Sequence, residues 1–182
     1  VGTLGAGVYV RRLSAGAWSH YGEEFEPNQA SNINALSLGG IRLLASAGGN
    51  GSVFYREDGP DWTMSWLNNV GLGPGAQAFS AAWNGSRWVV GTNRFVYHSA
   101  LGQEPWTLLN PDLGVLLHTT IATRGSDFYA AFNRFSDVVI EISDDDGASW
   151  QILESLSGAF VFKMTTVGST LYAGRGDGLW LR

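Results

Sequence analysis

Trp18, Trp62, Trp106 and Trp150 stand 44 residues apart, each from the next, along a chain of 182 residues. No helical turn has so long a period. It is the length of a supersecondary unit, and about 44 residues is what four short strands and their turns occupy in a propeller blade. A second marker recurs independently: Gly39-Gly40, Gly85-Ser86, Gly125-Ser126 and Gly168-Ser169 follow one another at spacings of 46, 40 and 43. Each is flanked by alternating apolar residues, the pattern of a hairpin. Composition points the same way, with 25 glycines, 13% aromatic residues and only 15% charged residues. That balance disfavours both disorder and a helical bundle. No 3.6-residue period is sustained anywhere, and Glu23 to Ala30 has room for one helical turn at most.

Overlaying the units predicts four copies of an innermost strand A at Asn34–Ser37, Ser80–Trp83, Thr120–Thr123 and Lys163–Thr166. Their small and β-branched residues suit a crowded central channel. Strand B carries a small-residue triplet in five copies: Val1–Thr3, Ala45–Ala47, Val90–Thr92, Ala130–Phe132 and Ala173–Arg175. Strand C also appears five times, at Val8–Val10, Val53–Tyr55, Val96–His98, Val139–Ile142 and Leu179–Leu181, with the period of two expected of half-buried strands. Strand D opens at each period-marking tryptophan and appears four times. The order is BCD, ABCD, ABCD, ABCD, ABC, eighteen strands in all.

The fold class is therefore all-β: a β-propeller of four-stranded antiparallel blades, five in number with the first and last incomplete. It forms a single domain over 1–182, with repeats at about 1–30, 31–75, 76–115, 116–158 and 159–182. Five full blades would take roughly 220 residues, so the chain is either a ring with two short blades or a segment of a longer propeller. Exposed edges at both ends invite pairing with another chain. Pro27, Pro60, Pro74, Pro105 and Pro111 all fall between predicted strands.

Ten arginines and one lysine face sixteen acidic residues, for a net charge of −5. No basic run occurs, so neither a nucleic-acid footprint nor a polybasic membrane anchor is expected. The apolar stretches are far shorter than the roughly 18 residues of a spanning helix, so no membrane insertion is expected. The absence of cysteine rules out disulfides, thiolate metal sites and a cysteine nucleophile, yet leaves secretion open. Val1-Gly2-Thr3 lacks the charged start of a signal peptide, and the sequence, not beginning with Met, reads as mature, trimmed or a fragment.

The fourth connection from strand C to strand D reads Ser143-Asp144-Asp145-Asp146-Gly147-Ala148-Ser149-Trp150. It resembles the Asp-box, or bacterial neuraminidase repeat, motif S-x-D-x-G-x-[ST]-W at every specified position. The motif's mechanics are structural. The Asp145 carboxylate is expected to accept backbone N–H groups inside the turn, Gly147 to take a positive φ, and Trp150 to pack between blades. The second copy keeps Glu57, Gly59 and Trp62, the third keeps Ser99 and Trp106, and the first keeps Gly16 and Trp18. Such a resemblance implies propeller architecture over nearly the whole chain. It does not imply one activity, because the family includes sialidases, sortilin-like receptors, cellulose-active enzymes and photosystem assembly factors. A sialidase of this family implies six blades, three arginines on the substrate carboxylate, a tyrosine nucleophile with a glutamate, and an acidic proton donor. The chain is too short for that, and Arg11-Arg12 follows strand C rather than an inner strand.

Candidate binding residues lie on the turns from B to C and the loops from D to A, which share one face of a propeller. Asn93-Arg94-Phe95 and Asn133-Arg134-Phe135 repeat in adjacent blades, and Arg175-Gly176-Asp177 fills the slot in the next. Three arginines on one rim would suit a carboxylate, sulfate or phosphate, since guanidinium forks bind oxyanions. Asparagine also favours the left-handed conformation of tight turns, and an exposed arginine is commonly just solvated. Arg175-Gly176-Asp177 matches an integrin-type tripeptide but sits where the repeat needs a hairpin turn. On the loops from D to A, Tyr21 and Phe25 offer stacking surfaces and Asn68 and Asn69 hydrogen bonds.

His20, His98 and His118 fall on different strands, which does not make a metal set, and Asp144 and Asp146 read as solvated neighbours of Asp145. No cofactor or metal is expected, and no catalytic residue is assigned. Asn50-Gly51-Ser52 and Asn84-Gly85-Ser86 are glycosylation-type sequons. The expected function is non-catalytic recognition of a glycan or protein through one rim, in an extracellular or cell-surface setting. The alternative is a structural subunit of a surface assembly, as a homo-oligomer or larger assembly joined through the unfinished blades. A glycosidase-like enzyme ranks last.

Overall fold

The computed structural model describes residues 2–3, 7–11, 14, 16–21, 32–48, 52–57, 62–67, 77–110 and 116–182. They contain seventeen strands and no helix. The first blade holds β1 (Val8–Val10) and β2 (Ser19–Tyr21), and Gly2 bridges Val8 where a strand B is expected. The second is β3 (Asn32–Gly39), β4 (Arg42–Gly48), β5 (Ser52–Arg56) and β6 (Thr63–Trp66). The third is β7 (Ala78–Trp83), β8 (Trp88–Thr92), β9 (Val96–Ser99) and β10 (Thr107–Asn110). The fourth is β11 (His118–Arg124), β12 (Asp127–Asn133), β13 (Asp137–Ser143) and β14 (Gln151–Ser157). The fifth stops at three strands, β15 (Val161–Val167), β16 (Thr170–Arg175) and β17 (Gly178–Leu181). Among the described residues every sheet is an antiparallel meander in chain order, and five such sheets in succession make the fold a β-propeller.

The strand-B triplets are small because the next blade lies on them. A methyl group on Gly91 would stand 2.5 Å from Cγ2 of Thr119 on β11, so only a hydrogen fits there. Ala131, on β12, is fully buried in a cluster shared with Val161 and Met164 of β15. Hydroxyl groups on the innermost strands then join one blade to the next. Ser37 donates to the Ala81 carbonyl at 2.5 Å, Ser80 accepts from the Ile121 amide at 2.9 Å, and Thr120 accepts from the Met164 amide at 3.3 Å. Serine and threonine are thus favoured there for hydrogen bonding as well as for size.

Each period-marking tryptophan immediately precedes an outermost strand, β2, β6, β10 or β14. Three of them fill the seam with the preceding blade. Trp62 is 6% exposed and packs with Val8, and Trp106 is 4% exposed among Leu44, Val53 and Leu67 and donates to Ser65 Oγ at 2.9 Å. Trp150 packs on Val89 and Val96. Trp18, with no blade described before its own, is 51% exposed.

The turns from A to B dock on the next blade through arginine. Arg42 donates to the Leu101 carbonyl, and Arg87 to the Asp146 carbonyl at 3.3 Å, so residues 45 apart make one repeated clasp. Asp127 fills this slot in the fourth blade, and there Arg124 donates instead to the Ser169 carbonyl at 2.9 Å.

Candidate functional site

The two rims of the propeller do different work. On one, the connection over 143–150 forms a closed turn. Asp145 accepts from the Ser149 amide at 2.8 Å and hydroxyl at 2.6 Å and from the Ser143 hydroxyl at 2.8 Å. These bonds, Ser149 foremost, pull the Asp145 carboxyl down to about 2. Gly147 has φ 86° and faces Leu109 of the previous blade, and Trp150 donates to its carbonyl at 3.1 Å.

Asp146 departs from the expectation of a solvated side chain. It is half-buried at φ 61° and accepts from Asn84 Nδ2 at 2.6 Å and Ser86 Oγ at 2.9 Å, bonds that lower its pKa. The sequon at Asn84 is occupied by the same contact, because its amide also donates to the Ser126 carbonyl at 2.7 Å. This rim is a joint between blades. The sequon at Asn50 lies outside the described residues.

The other rim is made where the turns from B to C meet the segments leading into strand A. Backbone bonds join them: Leu117 N to Asn133 O at 2.8 Å, Leu116 N to Asn93 O at 3.1 Å and Gly176 N to Phe160 O at 3.0 Å. All three arginine turns lie here, yet their residues separate by role. Asn133 is fully buried: its Oδ1 accepts from the Val161 amide at 2.7 Å, and its Nδ2 donates to the carbonyls of Val161 at 2.9 Å and His118 at 3.2 Å. Asn93 Oδ1 accepts from the Gln77 amide at 3.0 Å. Neither asparagine has a positive φ, a conformation that Asp146 alone adopts among the described non-glycine residues. The two side chains tie the turns from B to C to the segments that lead into strand A.

The three arginines differ in their surroundings. Arg94 is exposed, Arg134 lies 3.8 Å from Asp137, and Arg175 pairs with Asp177 at 2.8 Å within its own hairpin turn. A cavity of about 160 Å³ on this rim takes in Arg134 and neither of the others. Its remaining walls include Leu117, Phe135, Asp137 and Phe160. Phe95 and Phe135 come from the same tripeptide but diverge: Phe95 packs edge-on to Tyr97 in the core, while Phe135 is 81% exposed. Tyr21 ends β2 with its side chain outside the described residues, as are Phe25, Asn68 and Asn69.

Sequence reasoning missed an aromatic row on this rim. Phe79, His118, Phe160 and Phe162 run across three blades with ring centroids 4.6, 5.5 and 5.0 Å apart in turn. Burial, and secondarily the Lys163 ammonium, depress the His118 pKa to about 4, so the ring is neutral near pH 7 and behaves as one more aromatic face. The available signal was an aromatic residue at or just before the start of consecutive strand-A segments. Phe160 belongs to both the row and the cavity wall. The histidines lie on β2, β9 and β11, and among the described residues no three His, Asp or Glu side chains cluster in a way that could hold a metal ion.

No protein family and no curated relative matches the chain by sequence. Similarity to solved structures is at the level of fold. The Niastella koreensis GH74 enzyme superposes with a TM-score of 0.71 at 18% identity, over 97% of this chain and 31% of that one. The computationally designed Ika4 protein gives 0.58 at 12% identity, covering 82% of this chain and 89% of that one. A chain of the nidogen/laminin complex gives 0.60 at 12% identity, over 88% and 76%. The chain thus spans about a third of the GH74 enzyme. At these identities the likeness speaks for architecture and leaves activity open.

Proposed function

We propose that this propeller is a non-catalytic recognition module that binds a glycan or protein through the rim of Phe135, Arg134 and the Phe79–His118–Phe160–Phe162 row. The observation that carries the reading is Phe135, 81% exposed at a cavity also lined by Phe160. Exposed aromatic faces beside a charged pair suit a sugar ring or a partner's side chain, apolar on one face and hydrogen-bonding at the edge. At about 160 Å³ the cavity is smaller than the roughly 300 Å³ of an enclosed small-molecule site, so it would seat one ring or side chain of a larger ligand laid along the aromatic row. Glycoside hydrolysis needs two carboxyl groups across one bond. The cavity contains one, Asp137, beside Arg134. The Asp145 turn supports placing the repeat with Asp-box propellers.

An array of neutral and acidic oligosaccharides, with pull-down of protein partners beside it, tests the reading. Ligands found should lose at least tenfold in affinity with Phe135→Ala and Phe160→Ala. Binding unchanged in both variants would remove the rim from the account.

A further inference from the structure

Two of the turns from B to C pair an arginine with a carboxylate of the same turn, and the two pairs differ in closure. Arg175 Nη2 donates to Asp177 Oδ2 at 2.8 Å, so that pair spends a donor and an acceptor on itself. Arg134 Nη1 stands 3.8 Å from Asp137 Oδ2, near enough for opposite charges to attract and too far for a hydrogen bond. The turn fixes both ends of this gap. The Arg134 amide donates to the Asp137 carbonyl at 2.9 Å, and the Ser136 hydroxyl donates to the other carboxylate oxygen, Oδ1, at 3.1 Å. Both charged side chains line the cavity beside Phe135 and Phe160, and each is more than a third exposed. Glu141, the other carboxyl that feels the Arg134 charge, is 8% exposed and is not part of the cavity wall.

We propose that this cavity takes a neutral hydroxylated ring, a pyranose residue of an uncharged glycan, with its hydroxyl groups set in the gap between Arg134 and Asp137. The inference rests on the rim reading above and names the ligand class for it. A hydroxyl suits both sides of the gap, because it accepts from the guanidinium and donates to the carboxylate. A carboxylate or sulfate brings acceptors alone and meets the like charge of Asp137. An ammonium group brings donors alone and meets Arg134. The oxyanion that an arginine by itself would suit is thus disfavoured by the acid fixed beside it. Leu117, Phe135 and Phe160 supply apolar surface for the carbon face of the ring, which a hydrated anion would leave unused. The net charge of −5 works in the same direction, since it repels a polyanionic glycan at long range.

Calorimetric titration of the 182-residue chain with soluble hexasaccharides of glucose, mannose, xylose and galactose, and with the hexamer of galacturonate, tests this. The expected result is binding of at least one neutral hexamer, with galacturonate weaker by about tenfold or more, the direction a like charge in the cavity imposes. Asp137→Asn keeps an acceptor and removes the charge, so it should narrow that difference by raising galacturonate binding. Arg134→Gln should weaken the neutral hexamer. Circular dichroism checks that both variants fold. Tighter binding of galacturonate than of every neutral hexamer, or a preference unchanged in Asp137→Asn, would overturn the proposal while leaving recognition at the rim in place. So would capture of a protein partner that needs Phe135 when no hexamer binds. Hexamer binding that survives Phe135→Ala undiminished would instead remove the rim reading, and the proposal with it.

Discussion

Asn133 and Val161 bind each other as two paired strands do, although one partner is a side chain: Oδ1 of Asn133 accepts from the Val161 amide at 2.7 Å and Nδ2 donates to its carbonyl at 2.9 Å. The amide thereby closes the seam between the fourth and fifth blades, in full burial. Asn133→Ala leaves both Val161 groups without that partner, and should cost about 2–4 kcal/mol, since each buried polar group left unpaired costs about 1–3 kcal/mol. Asn93→Ala, at a more exposed corner where Oδ1 accepts from the Gln77 amide, should cost about 1 kcal/mol. Urea unfolding midpoints measure both.

Acid should loosen the turn at Asp145. Its carboxyl is held near 2, below the roughly 4 of an unfolded chain, so the native state binds fewer protons than the unfolded state between those values. Its stabilising contribution is complete above about pH 4 and is lost as pH falls through about 2. Thermal unfolding of wild type and Asp145→Asn should therefore differ most at neutral pH and converge toward pH 2.

Glu141 should show the opposite sign. It is 8% exposed on β13, and burial raises its pKa, with Arg134 only partly opposing. A buried acid with a raised pKa destabilises the fold once ionised. Glu141→Gln should raise the melting temperature at pH 7, with the gain fading as pH falls through the raised pKa and gone below about pH 4, where both states bind the proton.

Two glycines separate backbone strain from crowding. Gly147 (φ 86°) would bring a new Cβ 3.1 Å from Leu109 Cδ1, whereas Gly168 (φ 59°) faces open space. Gly168→Ala should cost about 1 kcal/mol for the left-handed backbone alone. Gly147→Ala should cost about 2–3 kcal/mol, because crowding at a packed seam adds to the same strain. Denaturant titration of the pair reads the difference.

The architecture was legible because its markers serve local chemistry. A glycine recurs at the hairpin turns between strands A and B at spacings of 46, 40 and 43, and a tryptophan stands before the outer strands β2, β6, β10 and β14 every 44 residues. What stayed hidden depends on the neighbouring blade. Nothing around Asn133 in sequence foretells Val161, twenty-eight residues away, so an asparagine in a turn read as a candidate ligand contact. Asp146 looked solvated because its partners, Asn84 and Ser86, belong to another repeat. The aromatic row escaped notice since it is assembled from one or two residues per blade.

The most direct test of recognition at the rim is mapping of backbone amide shifts by NMR on adding a glycan or peptide found by the array or pull-down. The account predicts that the largest changes fall on residues 117–118, 134–138 and 158–162, around Phe135 and along the aromatic row. Changes confined to residues 99–105 and 143–149, on the opposite rim, would contradict it.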